Sequence, residues 1–354
     1  MRRAIEYYQQ ALGIDREIGD RRGEGADLGN LGLAYADLGE VRRAIEYHQQ
    51  ALEIAREIGD RRGEGNSLGN LGAAYYRLGE VRRAIGYYQQ ALGIDREIGD
   101  RRAEGADLGN LGLAYAALGA VRRAIEYYQQ ALGIDREIGD RRGEGVALGN
   151  LGLAYADLGE VRQAIGYYEQ ALQIAREIGD RRGERNRLGN LGAAYYRLGE
   201  VRQAIGYYEQ ALEIAQEIGD RRGEGNRLGN LGLAYAALGE VRRAIEYYEQ
   251  ALEMAREIGD RRGEGNHLGN LGLAYAALGE VRRAIEYYEA ALQIDREIGD
   301  RRGEGTNLAN MGQAYKRLGG TARAQELWEE ALRIFEAIED PHAQWVRELL
   351  EGLG

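Results

Sequence analysis

Residues 28–39 read LGNLGLAYADLG. The phrase returns at Leu68, Leu108, Leu148, Leu188, Leu228 and Leu268, and once more, altered to LANMGQAYKRLG, from Leu308. A fixed 40-residue interval marks stacked supersecondary units, none of which can bury its apolar face alone. Around the phrase, Leu28, Leu31, Ala34, Tyr35 and Leu38 recur at steps of three and four, one face of a helix running from about Arg21 to Leu38. Gly39 stops it, and a second helix begins near Val41 with Ala44, Ile45, His48, Ala51, Leu52, Ala55 and Ile58 at helical spacing. We call the two helix A and helix B. Gly19-Asp20 and Gly59-Asp60 supply the stop and the cap between units. The joining loop is too short for anything but antiparallel neighbours.

The composition fits this. The chain has 354 residues, and the repeat replaces the two or three domains that length alone suggests with one continuous core. It is 44% hydrophobic and 30% charged, globular rather than disordered. A single proline agrees with uninterrupted helices. Zero cysteines exclude disulfides and thiolate metal sites and fit a reducing, cytoplasmic setting. No apolar run is long enough to span a bilayer, and MRRAIEYYQQ is not a signal peptide. The net charge of −11 disfavours nucleic acid and anionic membranes as partners. Lys316 is the only lysine, so ion pairing falls to the planar arginine fork.

The pattern Leu68, Leu71, Gly72, Tyr75, then Ala84, Tyr88, Ala91 resembles the tetratricopeptide repeat. In the first unit His48 stands at the aromatic position. The period is 40 rather than 34, so both helices are longer. The proline that usually follows helix B is missing, and Gly59-Asp60 makes the turn. Long-helix repeats of this kind are similar to those of LGN/Pins polarity adaptors, more loosely of kinesin light chains, and of bacterial signalling arrays. The resemblance implies an all-α fold, a right-handed α-solenoid superhelix of antiparallel helix pairs. Residues 1–19 read as an orphan helix B, 20–339 as eight repeats, and 340–354 as a capping helix with Asp340 as N-cap, Pro341 at the first turn and Trp345, Leu349 and Leu350 on one side. The N-terminal end looks cut from a longer array. Its uncovered side is expected to include Ala4, Ile5, Tyr8 and Leu12, which allows a monomer or a weak N-terminal end-to-end dimer.

An asparagine recurs in helix A of every unit: Asn30, Asn70, Asn110, Asn150, Asn190, Asn230, Asn270 and Asn310. In the family helix A lines the concave groove, and an amide there both donates to and accepts from the backbone of an extended peptide. The alternative is a bond to the neighbouring helix A. The stripe through this asparagine reads Arg62, Asn66, Asn70, Ala73, Arg77 in the second unit. It reads Arg182, Asn186, Asn190, Ala193, Arg197 in the fifth, with Arg185 and Tyr196 beside it; the sixth adds Asn226. A polar, locally basic wall in an acidic chain points to an acidic protein or peptide, because arginine forks match carboxylates. The alternative is that these arginines pair with acids of neighbouring helices. Gly32 fits close approach to helix B, while Gly25 and Gly29 read either as drift in a packed array or as room for a ligand backbone.

Catalytic, metal and phosphate-loop patterns are missing. His48, His267 and His342 lie far apart without a nucleophile at useful spacing, and no GxxxxGK[ST] occurs. The expected role is therefore a binding scaffold without enzyme activity or cofactor, taking an extended acidic peptide. The alternative is a structural or sensor array of a larger signalling protein that packs on another domain or on itself.

Overall fold

The computed structural model describes residues 2–353. These form eighteen helices and no strand among the described residues. In chain order they are α1 (Arg2–Ile18), α2 (Arg21–Asp37), α3 (Val41–Glu57), α4 (Arg61–Arg77), α5 (Val81–Ile98), α6 (Arg101–Ala117), α7 (Val121–Ile138), α8 (Arg141–Asp157) and α9 (Val161–Glu177). There follow α10 (Arg181–Arg197), α11 (Val201–Glu217), α12 (Arg221–Ala237), α13 (Val241–Glu257), α14 (Arg261–Ala277), α15 (Val281–Ile298), α16 (Arg301–Arg317), α17 (Thr321–Ala337) and α18 (His342–Glu351). From α2 to α17 even-numbered helices are helix A and odd-numbered ones helix B.

The turns explain the missing proline. Gly59 sits at φ 69°, which a side chain would strain, and Asp60 N–H then bonds back to Ala55 O at 2.8 Å, closing helix B. The same Asp60 turns its carboxylate onto Gly63 N–H at 3.0 Å and opens helix A. One residue thus ends one helix and starts the next. Asp20, Asp100, Asp140, Asp220, Asp260 and Asp300 cap in the same way. The last turn differs from expectation by one residue. Pro341 itself stands at the cap position of α18, and Asp340 Oδ1 accepts from His342 N–H at 2.9 Å.

Helices pair in antiparallel fashion: Gly65, early in α4, meets Ile94, late in α5, while Tyr75, late in α4, stacks on Tyr87, early in α5, at 5.2 Å. Arg83 lies 4.0 Å over the Tyr75 ring and donates to its hydroxyl at 2.8 Å. Between them Gly72 presses on the buried ring of Tyr88, where a Cβ would come within 2.6 Å of Cδ1. The same contact recurs at Gly192 on Tyr208 and at Gly312 on Trp328, each within 2.5 Å. Gly25, Gly65 and Gly105 have a packing role as well, since a Cβ there would lie 3.2–3.4 Å from the isoleucine of helix B.

Consecutive repeats are tied by a relay of charge. Glu64, buried in the first turn of α4, accepts from Arg56 of the preceding helix B at 2.8 Å and from Arg61 of its own helix. Arg61 then reaches Glu97 at the far end of α5. The pattern repeats around Glu104 and Glu264, and at Glu224 the arginine of helix B is replaced by Gln216, 3.1 Å away. A buried carboxylate with both oxygens satisfied in this way avoids the penalty of an unpaired buried charge.

The core is less continuous than the repeat suggests. The chain forms two compact units, Met1–Asp180 and Arg181–Gly354. In the first, the buried apolar residues fall into two clusters, one around Leu28 and Leu31 and one from Ile45 onward. The break falls at α3, whose core ring is the imidazole of His48 instead of a tyrosine. In the second unit one cluster runs from Ala204 to Val346, and α18 joins it through Ala343 and Val346 as well as Trp345 and Leu349. At α1 the expectation is corrected. Ile5 and Leu12 are buried against α2, and the exposed apolar residues are Tyr7, Ile14 and Ile18. The reason is the tyrosine stack: Tyr47, the counterpart of Tyr7, is covered by Tyr35 of the helix A before it.

His48 gives a test. It is 1% exposed, its Nδ1 has no partner, and burial pushes its pKa down to about 4. A depressed histidine leaves full stability above its unfolded value near 6.5 and loses it as pH falls through 4. Urea unfolding should therefore show a loss of roughly 3 kcal/mol between pH 7 and pH 4 in the native chain that is absent in His48→Tyr. Identical pH profiles would contradict this.

Candidate functional site

Helices A of successive repeats lie side by side, and their inward faces leave clefts. In the first unit one cleft of about 530 Å³ lies between α2 and α4, lined by Gly25, Gly29, Asn30, Leu33, Asn66 and Asn70. Another of about 370 Å³ lies between α6 and α8 with Asn110, Leu113 and Asn150. In the second unit a cleft of about 250 Å³ between α14 and α16 carries Asn270, Leu273 and Asn310. At Gly29 and Gly109 of the two clefts in the first unit a Cβ would meet open space, so glycine there leaves the wall low.

All eight ladder asparagines are half-buried, and among the described residues none has a hydrogen-bond partner in the protein. The alternative of an amide bonded to the next helix A is therefore not what the structure contains. Asn186 is different: it is exposed and accepts from Arg185 at 2.7 Å. Asn226 is exposed on the same stripe. Tyr196 packs on the core of the second unit.

Most of the arginines singled out by sequence have structural work within the array. Arg62 reaches the capping Asp100 of the next helix A at 3.2 Å, and Arg302 reaches Asp340 at 2.9 Å. Arg77 donates to Ala36 O at 2.9 Å and Arg317 to Ala276 O at 3.0 Å, carbonyls in the last turn of the preceding helix A that also accept from Gly39 N–H and Gly279 N–H. Arg197 is exposed at the same repeat position. Arg185 takes Asp220, the acid that Arg182 would otherwise hold by analogy with Arg62, and Arg182 stays exposed. The polar and basic wall is thus partly an internal brace.

Two features escaped the sequence. First, the wall is not only polar: Leu33, Leu113, Leu153, Leu233 and Leu273 stand 40–49% exposed one turn after the asparagine. Second, the residue three before the asparagine, which we call the floor position, lines the three clefts as Ser67, Ala147 and Asn307. In some repeats it leans on the 29-type glycine of the previous helix A, as Asp107 does on Gly69, His267 on Gly229 and Asn307 on Gly269. This position ranges from Asp to Arg while the leucine after it stays constant, which is the signal that points to it.

Two floors hold carboxyl pairs. Asp107 faces Asp95 of α5; both are buried, and Oδ2 of Asp107 has no partner. Burial first, and then the Asp95 charge, push Asp107 up to about 8. Asp27 is raised for the same reasons opposite Asp15. In the last repeat Asn307 donates to Asp295 at 2.8 Å and the conflict is gone. A carboxyl raised in the folded state contributes stability below its unfolded value and loses it as pH rises through 8. Asp107→Asn should thus match the native chain near pH 4 and exceed it in thermal midpoint at pH 8.5; parallel profiles would refute the pair.

Comparison with known proteins bears on the whole chain. The tetratricopeptide repeat model matches residues 1–57, 26–97, 63–137, 104–177, 143–217, 184–257 and 259–354. No curated protein matches. The structure of BtubC (BKLC) from P. vanneervenii is similar over 62% of this chain and 92% of its own, at 26% identity and a TM-score of 0.56. A Signal Transduction ATPase with Numerous Domains from Pyrococcus horikoshii, which carries a tetratricopeptide repeat sensor, is similar over 97% of this chain and 55% of its own, at 18% identity and a TM-score of 0.71. The apo quorum sensor NprR from B. thuringiensis covers 94% of this chain and 97% of its own, at 16% identity and a TM-score of 0.65. At such identities the last two show the fold alone. No catalytic family is indicated, and no helix among the described residues is long and apolar enough to cross a membrane. The chain belongs to the tetratricopeptide repeat family.

Proposed function

We propose that the repeat scaffold holds an extended peptide segment of a protein partner along the inner faces of its helices A. The observation that carries this is the ladder of half-buried amides without protein partners, Asn70 and Asn110 in the first unit and Asn230 and Asn270 in the second among them. Each offers one donor group and one acceptor to a peptide bond. The exposed leucines beside them offer apolar contacts for alternate side chains. A half-buried amide that exchanges water for a peptide group gains modestly per bond, so affinity has to come from several rungs at once. A peptide held in this way binds near micromolar, about −8 kcal/mol. An acidic peptide is favoured where arginines outnumber acids on the inner face, as around Arg182 and Arg185.

The test uses a phage-displayed library of random twelve-residue peptides against the full chain. The selected peptide, remade with N-methyl groups at alternate backbone positions, should lose binding about tenfold or more. Asn230→Ala with Asn270→Ala should weaken the unmodified peptide comparably, and raised salt should weaken it partly. Selected peptides that bind equally well after N-methylation and to the double variant would exclude backbone capture by the ladder.

A further inference from the structure

The residue at the floor position differs between the two units. In the first it is Asp27, Ser67, Asp107 and Ala147; in the second it is Arg187, Arg227, His267 and Asn307. In repeats that are nearly identical elsewhere, this is a change of sign at a partly or fully buried position beside the ladder.

Arg227 is the informative member. It comes from α12, and its guanidinium lies on the bare backbone of Gly189 in α10, in space that a Cβ at 189 would occupy. Its underside faces the Tyr208 ring at 6.0 Å. It is partly buried, and among the described residues no carboxylate pairs with it. Its near neighbours are of like sign. Arg185 lies next to it and Arg182 next to Arg185, and of these Arg185 holds the acid Asp220. Three guanidiniums against one carboxylate leave two positive charges uncompensated. Burial and the Arg185 charge accordingly disfavour the charged form of Arg227, although Tyr208 acts the other way. Buried Glu64, by contrast, has a guanidinium on each oxygen.

We propose that Arg227, on the floor between α10 and α12, is a specificity-determining site that takes one side-chain carboxylate of the bound peptide, with Asn190 and Asn230 on the peptide backbone at either side. This rests on the inner-face groove proposed above. The guanidinium is planar and pre-positioned on Gly189, so an aspartate or glutamate descending between the ladder rungs meets two parallel N–H donors. The floor residue, and not the rim arginines that brace the array, then sets the charge of the ligand.

The same random twelve-residue library is selected against the native chain, Arg227→Ser and Arg227→Glu. Ser67 occupies this position in the second repeat, so serine is a floor residue the fold already carries. The expected result is an acidic residue enriched at a fixed place in peptides from the native chain, no enrichment there with Arg227→Ser, and a basic residue with Arg227→Glu. Moving a native-selected peptide to Arg227→Ser should cost about tenfold or more in affinity. Peptides that depend on the asparagine ladder but show the same acidic preference with all three chains would overturn the Arg227 assignment and leave the groove standing. A library that yields no groove-dependent peptide would overturn both.

Discussion

The contact on which the rest depends is a glycine of helix A laid flat on a ring of helix B. At Gly72 the ring is Tyr88, at Gly192 it is Tyr208, and at Gly312 it is Trp328. The absence of a Cβ lets the two helices of a repeat come together until the ring is almost wholly buried, 3% exposed at Tyr88. Glycine there lowers helix propensity, so the position is kept by packing against its own local preference. Helix A, with four or so glycines per unit, does not hold its shape alone and is shaped by what it lies on.

From that contact the inner face follows. Once helix A is seated on helix B, its asparagine, its leucine and the residue three before the asparagine all point away from the pair. The charge relay through Glu64, Arg56, Arg61 and Glu97 then fixes the next repeat against the last. Arg62 on Asp100 and Arg77 on Ala36 O add a second brace on the inner side. The clefts are what remains between braced helices A where glycine keeps the wall low. Six of the ladder amides, Asn30, Asn70, Asn110, Asn150, Asn270 and Asn310, face such a cleft.

Much of this was legible in the sequence. Helix boundaries came within a residue because Gly39, Gly59 and Asp60 are unambiguous signals, and α18 was announced by Asp340-Pro341. The ladder was visible because an identical residue returned every 40 positions. What was not legible depended on three-dimensional partners. The rim arginines look like ligand contacts until Asp100, Asp220 and Asp340 are placed beside them. Ile5 and Leu12 are buried where the sequence suggests an open side, because helical spacing gives a face but not the side on which the neighbour lies. The floor position is hidden for the opposite reason to the ladder, because it varies from repeat to repeat, as the position before it does. The carboxyl pair of Asp95 and Asp107 required knowing that positions twelve apart meet across a turn.

The most direct test of the glycine-on-ring contact is urea unfolding of Gly72→Ala, alone and in the background Tyr88→Ala. Helix propensity by itself favours alanine by about 0.5–1 kcal/mol. Overpacking against the ring opposes it by about 1–3 kcal/mol. The expected result is a loss of stability in the native background and a gain once the ring is removed. A gain in both backgrounds would mean that the ring does not set the spacing of the helices, and the clefts would need another origin.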